Sequence, residues 1–286
     1  MTTLYQEARA ALRESASRPK KKLGQHFLVH EGVINAILRL LDLSAEDEVV
    51  EIGPGLGFLT RRLVQLARKV RAIEVDVALV EWLRKSPLGS HPAFDLVHGD
   101  VLKANLSDIL PAYKIKLVAN LPYNISTPVL FRLFDLRSRF SFLVLMVQRE
   151  VAERMTACPG TKSYGTLSVW CQIHGQILDR VFVSPEAFFP RPRVKSTVLK
   201  IGLYDEPLLP AERLPLLRGL VRAAFGQRRK TLANALGSWL KEGRGEIEVV
   251  LRREGIDPQR RGETLSVDEF ILLAHALEKT GLIAER

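Results

Sequence analysis

The chain has 286 residues, 47% hydrophobic and 26% charged; this is ordinary globular composition, about two domains in length, and it excludes a disordered or collagen-like chain. The two cysteines, Cys158 and Cys171, form neither a disulfide framework nor a zinc spacing, the N-terminus is polar and the longest apolar run is only Phe142–Val147, so a cytoplasmic protein with no metal and no membrane span is expected. The net charge of +10 is uneven: residues 1–30 carry six basic and two acidic side chains, 31–130 eleven and twelve, and 131–200 eleven and five, a pattern that suits a polyanion such as nucleic acid, although a plain solvated surface gives the same counts.

Residues 1–20 read as a flexible extension running into the Lys20-Lys21-Lys22 cluster. A helix is predicted over Glu31–Leu41, where Val33, Ile34, Ile37, Leu38 and Leu41 share one face. Short apolar runs bounded by Gly, Pro, Asp or Asn then predict strands at Glu48–Ile52, Val70–Glu74, Phe94–His98, Ile115–Ala119 and Phe142–Val147. Helical stretches near Leu59–Ala67, Ala78–Lys85, Ser107–Leu110 and Thr127–Phe134 separate them. This alternation predicts an α/β domain with a parallel, doubly wound sheet. Two later strands, Gln176–Val183 and Thr197–Leu203, flank a Pro-rich loop and are expected to close the sheet antiparallel. Beyond Asp205 only helices are predicted, at Leu216–Phe225, Lys230–Leu240, Ile247–Glu254 and Val267–Lys279. The expected organisation is an extension over 1–20, an α/β domain over 21–205 and a small all-helical domain over 206–286.

The first strand of the series runs into Glu51-Ile52-Gly53-Pro54-Gly55-Leu56-Gly57. Glycines at Gly53 and Gly55 let the backbone turn tightly and approach a ligand, and the helix that follows aims its amides at that ligand. The next strand ends at Glu74, 21 residues beyond Gly53, where a carboxylate can accept from ribose hydroxyls. The third ends at Gly99-Asp100, suited to an adenine amino group. Asp76 reads as structural. The turn spells G-x-G-x-G rather than the dinucleotide G-x-G-x-x-G, since position 58 is Phe; it resembles the first motif of class I, Rossmann-like S-adenosylmethionine-dependent methyltransferases.

The fourth strand of the series ends at Asn120-Leu121-Pro122-Tyr123. A proline turn with a packed tyrosine is the plain reading. The chemical one starts from the adenine N6 amino group, whose lone pair is delocalised into the ring. Two acceptors aimed at its hydrogens, the Asn120 side-chain carbonyl and the Leu121 main-chain carbonyl, would free that lone pair. Pro122 restricts Leu121 to an extended conformation, and Tyr123 offers a ring on which an extruded base stacks. This turn resembles the fourth motif of amino-methyltransferases.

Three further segments join these motifs: Lys22-Leu23-Gly24-Gln25-His26-Phe27-Leu28, Phe188-Phe189-Pro190-Arg191-Pro192-Arg193-Val194-Lys195-Ser196, and Phe225-Gly226-Gln227-Arg228-Arg229-Lys230-Thr231-Leu232. Together, from about Lys21 to the C-terminal helices, the chain resembles the ribosomal RNA adenine dimethyltransferase family, within it the bacterial small-subunit enzymes. The resemblance implies S-adenosylmethionine as donor. It also implies N6,N6-dimethylation of two adjacent adenosines in a hairpin loop near the 3′ end of 16S rRNA, within the small ribosomal subunit or its precursor, by a monomer. It places cofactor contacts at His26, Leu28, Gly53, Glu74, Asp100 and Asn120. The family often has Asn where His26 stands, which matters little for a main-chain contact and more for a side-chain one. Phe188 and Phe189 are either a second stacking wall for the target base or plain packing. Arg228, Arg229 and Lys230 are either phosphate contacts or a solvated helix start. Two alternatives share the fold: a large-subunit 23S rRNA adenine N6-methyltransferase of the antibiotic-resistance type, which commonly has Ile in place of Leu121, and a non-catalytic RNA-binding assembly factor.

Overall fold

A computed structural model describes residues 3–14, 18–227 and 229–280. Helix α1 (Leu4–Glu14) stands where a flexible extension was expected. Its Ala8, Ala11 and Leu12 recur at helical spacing and are buried. Tyr5 meets the ring of Phe189 edge-on at 5.0 Å, and Glu7 pairs with Arg61 at 2.9 Å. Positions 1, 2 and 15–17 of the extension lie outside the described residues. After it come β1 (Phe27–Leu28) and α2 (Glu31–Leu41). The His30 ring caps α2 by accepting from Val33 N–H at 3.3 Å, and the predicted face buries Ile34, Ile37 and Leu41.

The alternating series follows as β2 (Glu48–Ile52), α3 (Thr60–Leu63), β3 (Lys69–Glu74), α4 (Val77–Lys85), β4 (Phe94–His98), α5 (Leu106–Ile109), β5 (Ile115–Asn120), α6 (Ser126–Asp135) and β6 (Phe140–Gln148). Then come α7 (Arg149–Met155), α8 (Thr166–His174), β7 (Gly175–Val183), β8 (Phe188–Phe189) and β9 (Ser196–Leu203). The main sheet has the order β4-β3-β2-β5-β6-β9-β7. Pairs β3/β4, β2/β3, β2/β5 and β5/β6 are parallel, and β9 closes onto β6 antiparallel with Gln148 opposite Ser196. From β2 the chain passes to β3 on one side and later to β5 on the other. Ligands bind outside the carboxyl ends of the strands at such a reversal. A second, two-stranded sheet pairs β1 with β8, Phe27 opposite Phe189 and Leu28 opposite Phe188.

The chain divides into two units, one of Met1–Ala152 with Gln176–Leu203 and the other of Glu153–Gly175 with Tyr204–Arg286. The second contains α8 together with α9 (Leu214–Gly226), α10 (Leu232–Leu240), α11 (Arg244–Arg253) and α12 (Val267–Lys279). Residues 153–175, which the sequence reading assigns to the α/β domain, thus group with the C-terminal helices. The reason is packing: Leu167, Val169, Trp170 and Ile173 of α8 are all buried, Tyr164 donates to the Leu265 carbonyl at 2.9 Å, and Tyr204 and Leu208 N–H groups donate to the carbonyls of His174 and Ile173. Cys158 and Cys171 are free thiols, exposed and buried respectively. Among the described residues no helix is long and apolar enough to cross a membrane.

Candidate active site

At the carboxyl ends of β2, β3 and β5 lies a cleft roofed by the segment before α2. Its lining includes His26, Leu28, Gly53, Gly55, Glu74, Asp100, Asn120, Leu121, Pro122 and Tyr123, every residue that the first-, second-, third- and fourth-strand motifs and the Gln-His-Phe-Leu segment single out.

The glycine turn is a left-handed backbone. Gly53, Gly55 and Gly57 have φ of 72°, 58° and 79°, a region costly for residues with a Cβ. At Gly53 a side chain would point toward the Asn120 carbonyl, 4.0 Å away, across the cleft, and at Gly55 it would press on the Phe27 ring at 3.0 Å. Glycine at these positions thus avoids both the backbone cost and, at Gly55, the clash with Phe27.

Glu74 is buried at the end of β3. Its Oε1 accepts from the Val75 and Asp76 amides at 3.0 and 2.9 Å, and Oε2 from the Gly55 amide at 3.2 Å. Burial raises its pKa above the usual carboxylate value against these hydrogen bonds. The carboxylate is thereby fixed in orientation and retains lone pairs for hydroxyl donors. Asp100 also lines the cleft, with Oδ1 accepting from Leu102 N–H at 2.9 Å.

At the tip of β5 the Asn120 Nδ2 donates to the His26 main-chain carbonyl at 3.0 Å. Leu121 N–H donates to Met146 O at 3.0 Å, continuing the β5/β6 ladder, and Ser126 Oγ donates to Pro122 O at 2.9 Å. Tyr123 is held twice. Its hydroxyl lies 2.7 Å from Ser196 Oγ, and its ring stacks near-parallel with His26, centroids 5.8 Å apart. Burial raises the Tyr123 pKa, with Ser196 opposing, so the phenol stays neutral.

His26 makes contacts within the chain through both its main chain and its ring. Its main-chain carbonyl meets Asn120, while ring Nδ1 lies 2.7 Å from Pro190 O and so carries the proton. One residue therefore joins the roof, the fourth-strand turn and the Phe188–Pro190 segment.

Two features escape a reading of motifs. Asp76 caps α4 by accepting from Ala78 N–H at 3.1 Å, and it also receives Lys20 Nζ at 2.5 Å and Gln25 Nε2 at 2.8 Å. Burial would raise its pKa, but the Lys20 and Gln25 hydrogen bonds hold it below the ordinary value. This structural carboxylate pins the roof of the cleft; its place at the N-cap of a predicted helix was the available signal. Glu51, inside the glycine motif, is enclosed and receives Thr60 Oγ1 at 2.6 Å.

A family profile described as ribosomal RNA adenine dimethylase matches residues 16–279. A "Ribosomal RNA small subunit methyltransferase A" of Syntrophotalea carbinolica is 45% identical over 263 residues, covering 91% of this chain and 97% of the relative. Its namesake in Geobacter metallireducens is 42% identical over 275 residues, covering 94% and 99%. The chain belongs to the ribosomal RNA adenine dimethylase family. Among solved structures, a dimethyladenosine transferase from Plasmodium falciparum is 27% identical with a TM-score of 0.78, covering 90% of this chain and 98% of that one. The 23S rRNA methyltransferase ErmE is 25% identical with a TM-score of 0.65, covering 88% and 99%.

In this ribosomal RNA adenine dimethylase four of the predicted substrate contacts are not among the residues lining the cleft. Phe188 is 1% exposed and belongs to the hydrophobic core; pairing with Leu28 turns it inward, so the stacking-wall reading is withdrawn for it. Phe189 is half-buried, its ring against Tyr5, and it does not line the cleft. Arg229 and Lys230 are exposed before α10 in the second unit. Arg228 lies outside the described residues.

Proposed function

We propose that this rRNA adenine dimethylase methylates N6 of two adjacent adenosines in a hairpin loop near the 3′ end of 16S rRNA, as part of small-subunit biogenesis in the cytoplasm. The donor in this reading is S-adenosylmethionine. The observation that carries it is the Asn120–His26 hydrogen bond: with Nδ2 committed to the His26 carbonyl, the amide oxygen is the atom left to accept from a substrate amino group. The small-subunit name shared by relatives more than 40% identical supports this substrate over the large-subunit alternative.

The cleft suits such a donor. Glu74 is oriented to accept from ribose hydroxyls, Asp100 from an adenine amino group, and the left-handed glycines leave room for the rest. Bound there, S-adenosylmethionine supplies a methyl group already activated by its sulfonium.

The residues of the fourth-strand turn then do the positioning. Asn120 Oδ1 and the Leu121 carbonyl accept the two N6 hydrogens, drawing the nitrogen toward tetrahedral geometry and freeing its lone pair. Tyr123, locked by Ser196 and His26, carries the flipped base on its ring. Alignment of this kind supplies roughly 7–11 kcal/mol of a barrier. The N6 proton leaves after transfer, so no strong base is needed, and an uncharged Asn suits the position. The basic flanks and the exposed Arg229 and Lys230 hold RNA phosphates, with the helical unit as the ribosome contact. RNA affinity therefore falls steeply with salt.

The deciding experiment incubates the chain with labelled donor and small subunits lacking the methyl groups, then maps the label. Label on two adjacent adenosines near the 3′ end of the small-subunit RNA is expected. Label on large-subunit RNA, or none, overturns the proposal.

A further inference from the structure

We infer that Phe182, with Arg149 and Arg180 against its ring, is a stacking site for an unpaired RNA base that flanks the target adenosines. The inference rests on the RNA substrate proposed above and adds a contact outside the cleft lining.

Phe182 is 66% exposed, on β7, the strand at the edge of the main sheet. The Arg180 guanidinium lies 5.6 Å from its ring centroid and that of Arg149 lies 6.0 Å away. An aromatic face in water flanked by guanidinium groups matches the chemistry of a single-strand contact, in which bases stack on the ring and cations follow the phosphates. The surroundings have the right charge. Arg191, Arg193 and Lys195 are exposed on the loop that leads into β9. Of the nearby acids, Glu186 is 3.9 Å from Arg191, and Asp179 accepts the Arg180 amide at 2.6 Å.

The site connects to the catalytic turn by a short path. Arg149 follows Gln148, which stands opposite Ser196 in the β6/β9 register. The Arg149 amide donates to Lys195 O at 2.9 Å, and Ser196 Oγ is 2.7 Å from the Tyr123 hydroxyl. A strand leaving the turn on this side reaches Phe182 within the same unit. A second protein copy is the poorer occupant, because Asp179 and Arg180, both exposed mid-strand, oppose pairing along the edge.

The test uses the full chain and a fluorescein-labelled hairpin RNA with an adenosine-containing loop and single-stranded flanks. Phe182→Ala should bind this RNA about tenfold more weakly, as loss of one base stack predicts, while donor binding is unchanged. Phe182→Trp should keep wild-type affinity, and the indole emission it adds over the parent chain should be quenched by RNA. Phe182→Ala affinity within about twofold of the parent, or no quenching in Phe182→Trp, overturns the site while leaving the methyltransferase reading intact. A concentration-dependent dimer dispersed by Phe182→Ala would show a self-interface instead and also overturns it. Failure of the unaltered chain to bind RNA at all overturns both. Should Phe182→Ala not fold, the quenching in Phe182→Trp alone decides.

Discussion

The Asn120 amide nitrogen donates to the His26 main-chain carbonyl at 3.0 Å, so the tip of β5 and the roof of the cleft hold each other. The His26 ring then reaches on to Pro190 and packs against Tyr123. Side-chain orientation at the turn and closure of the roof are therefore one property.

Asn120→Ala removes both the acceptor and this tie. Single-turnover methyl transfer should fall by at least about a hundredfold, the scale of a misplaced reacting group, while RNA affinity stays near the parent value. Unchanged turnover would remove Asn120 from its assigned role.

Glu74 is held by three backbone amides, and its remaining lone pairs are assigned to ribose hydroxyls. Glu74→Ala should weaken donor binding on the order of tenfold to a hundredfold, since hydrogen bonds to a charged group contribute roughly 1.5–3 kcal/mol each. Titration calorimetry with donor reads this directly. Parent-like affinity would cancel the ribose assignment.

Glu51 imposes a pH dependence on the ligand-free protein. Burial raises its pKa from 4.5 to about 7, opposed by the Thr60 hydrogen bond and assisted by the charge of Glu74. A carboxyl with a folded pKa above its unfolded one binds more protons folded than unfolded between the two values. Its contribution is thus favourable at low pH and is lost as pH rises from about 4.5 through about 7. The scale is on the order of 3 kcal/mol at 1.36 kcal/mol per unit. Denaturant melts at pH 5 and pH 8 should differ accordingly, and Glu51→Gln should flatten most of the difference.

Asp76 works in the opposite sense. Its lowered pKa stabilises the fold above its ordinary value of 3.8, and this is lost as pH falls through the folded one. Asp76→Ala should cost about 1–2 kcal/mol from the lost α4 cap. It should also weaken donor binding, because Lys20 and Gln25 lose their anchor. Asp76→Asn keeps a capping oxygen and should lose less stability in the same melts. Equal donor affinity in all three proteins would argue against a pinned roof.

The sequence by itself determined the strands of the alternating series, α2, and the residues at each strand's carboxyl end. Period and turn chemistry are local, so Glu48–Ile52 and the Gly53–Gly57 turn are legible without any partner. Helix α8 was not, because Thr166–His174 is buried nearly all round and shows no amphipathic period. Helix α1 is not legible either, because its polar residues outweigh the Ala8-Ala11-Leu12 stripe. Only the tertiary structure decided that Phe27–Leu28 pairs with Phe188–Phe189, that Phe188 faces the core, and that Asp76 and His26 tie the roof to the site. Those contacts join positions from 51 to 162 residues apart, and hydrogen bonds across such spans leave no periodicity in either segment alone.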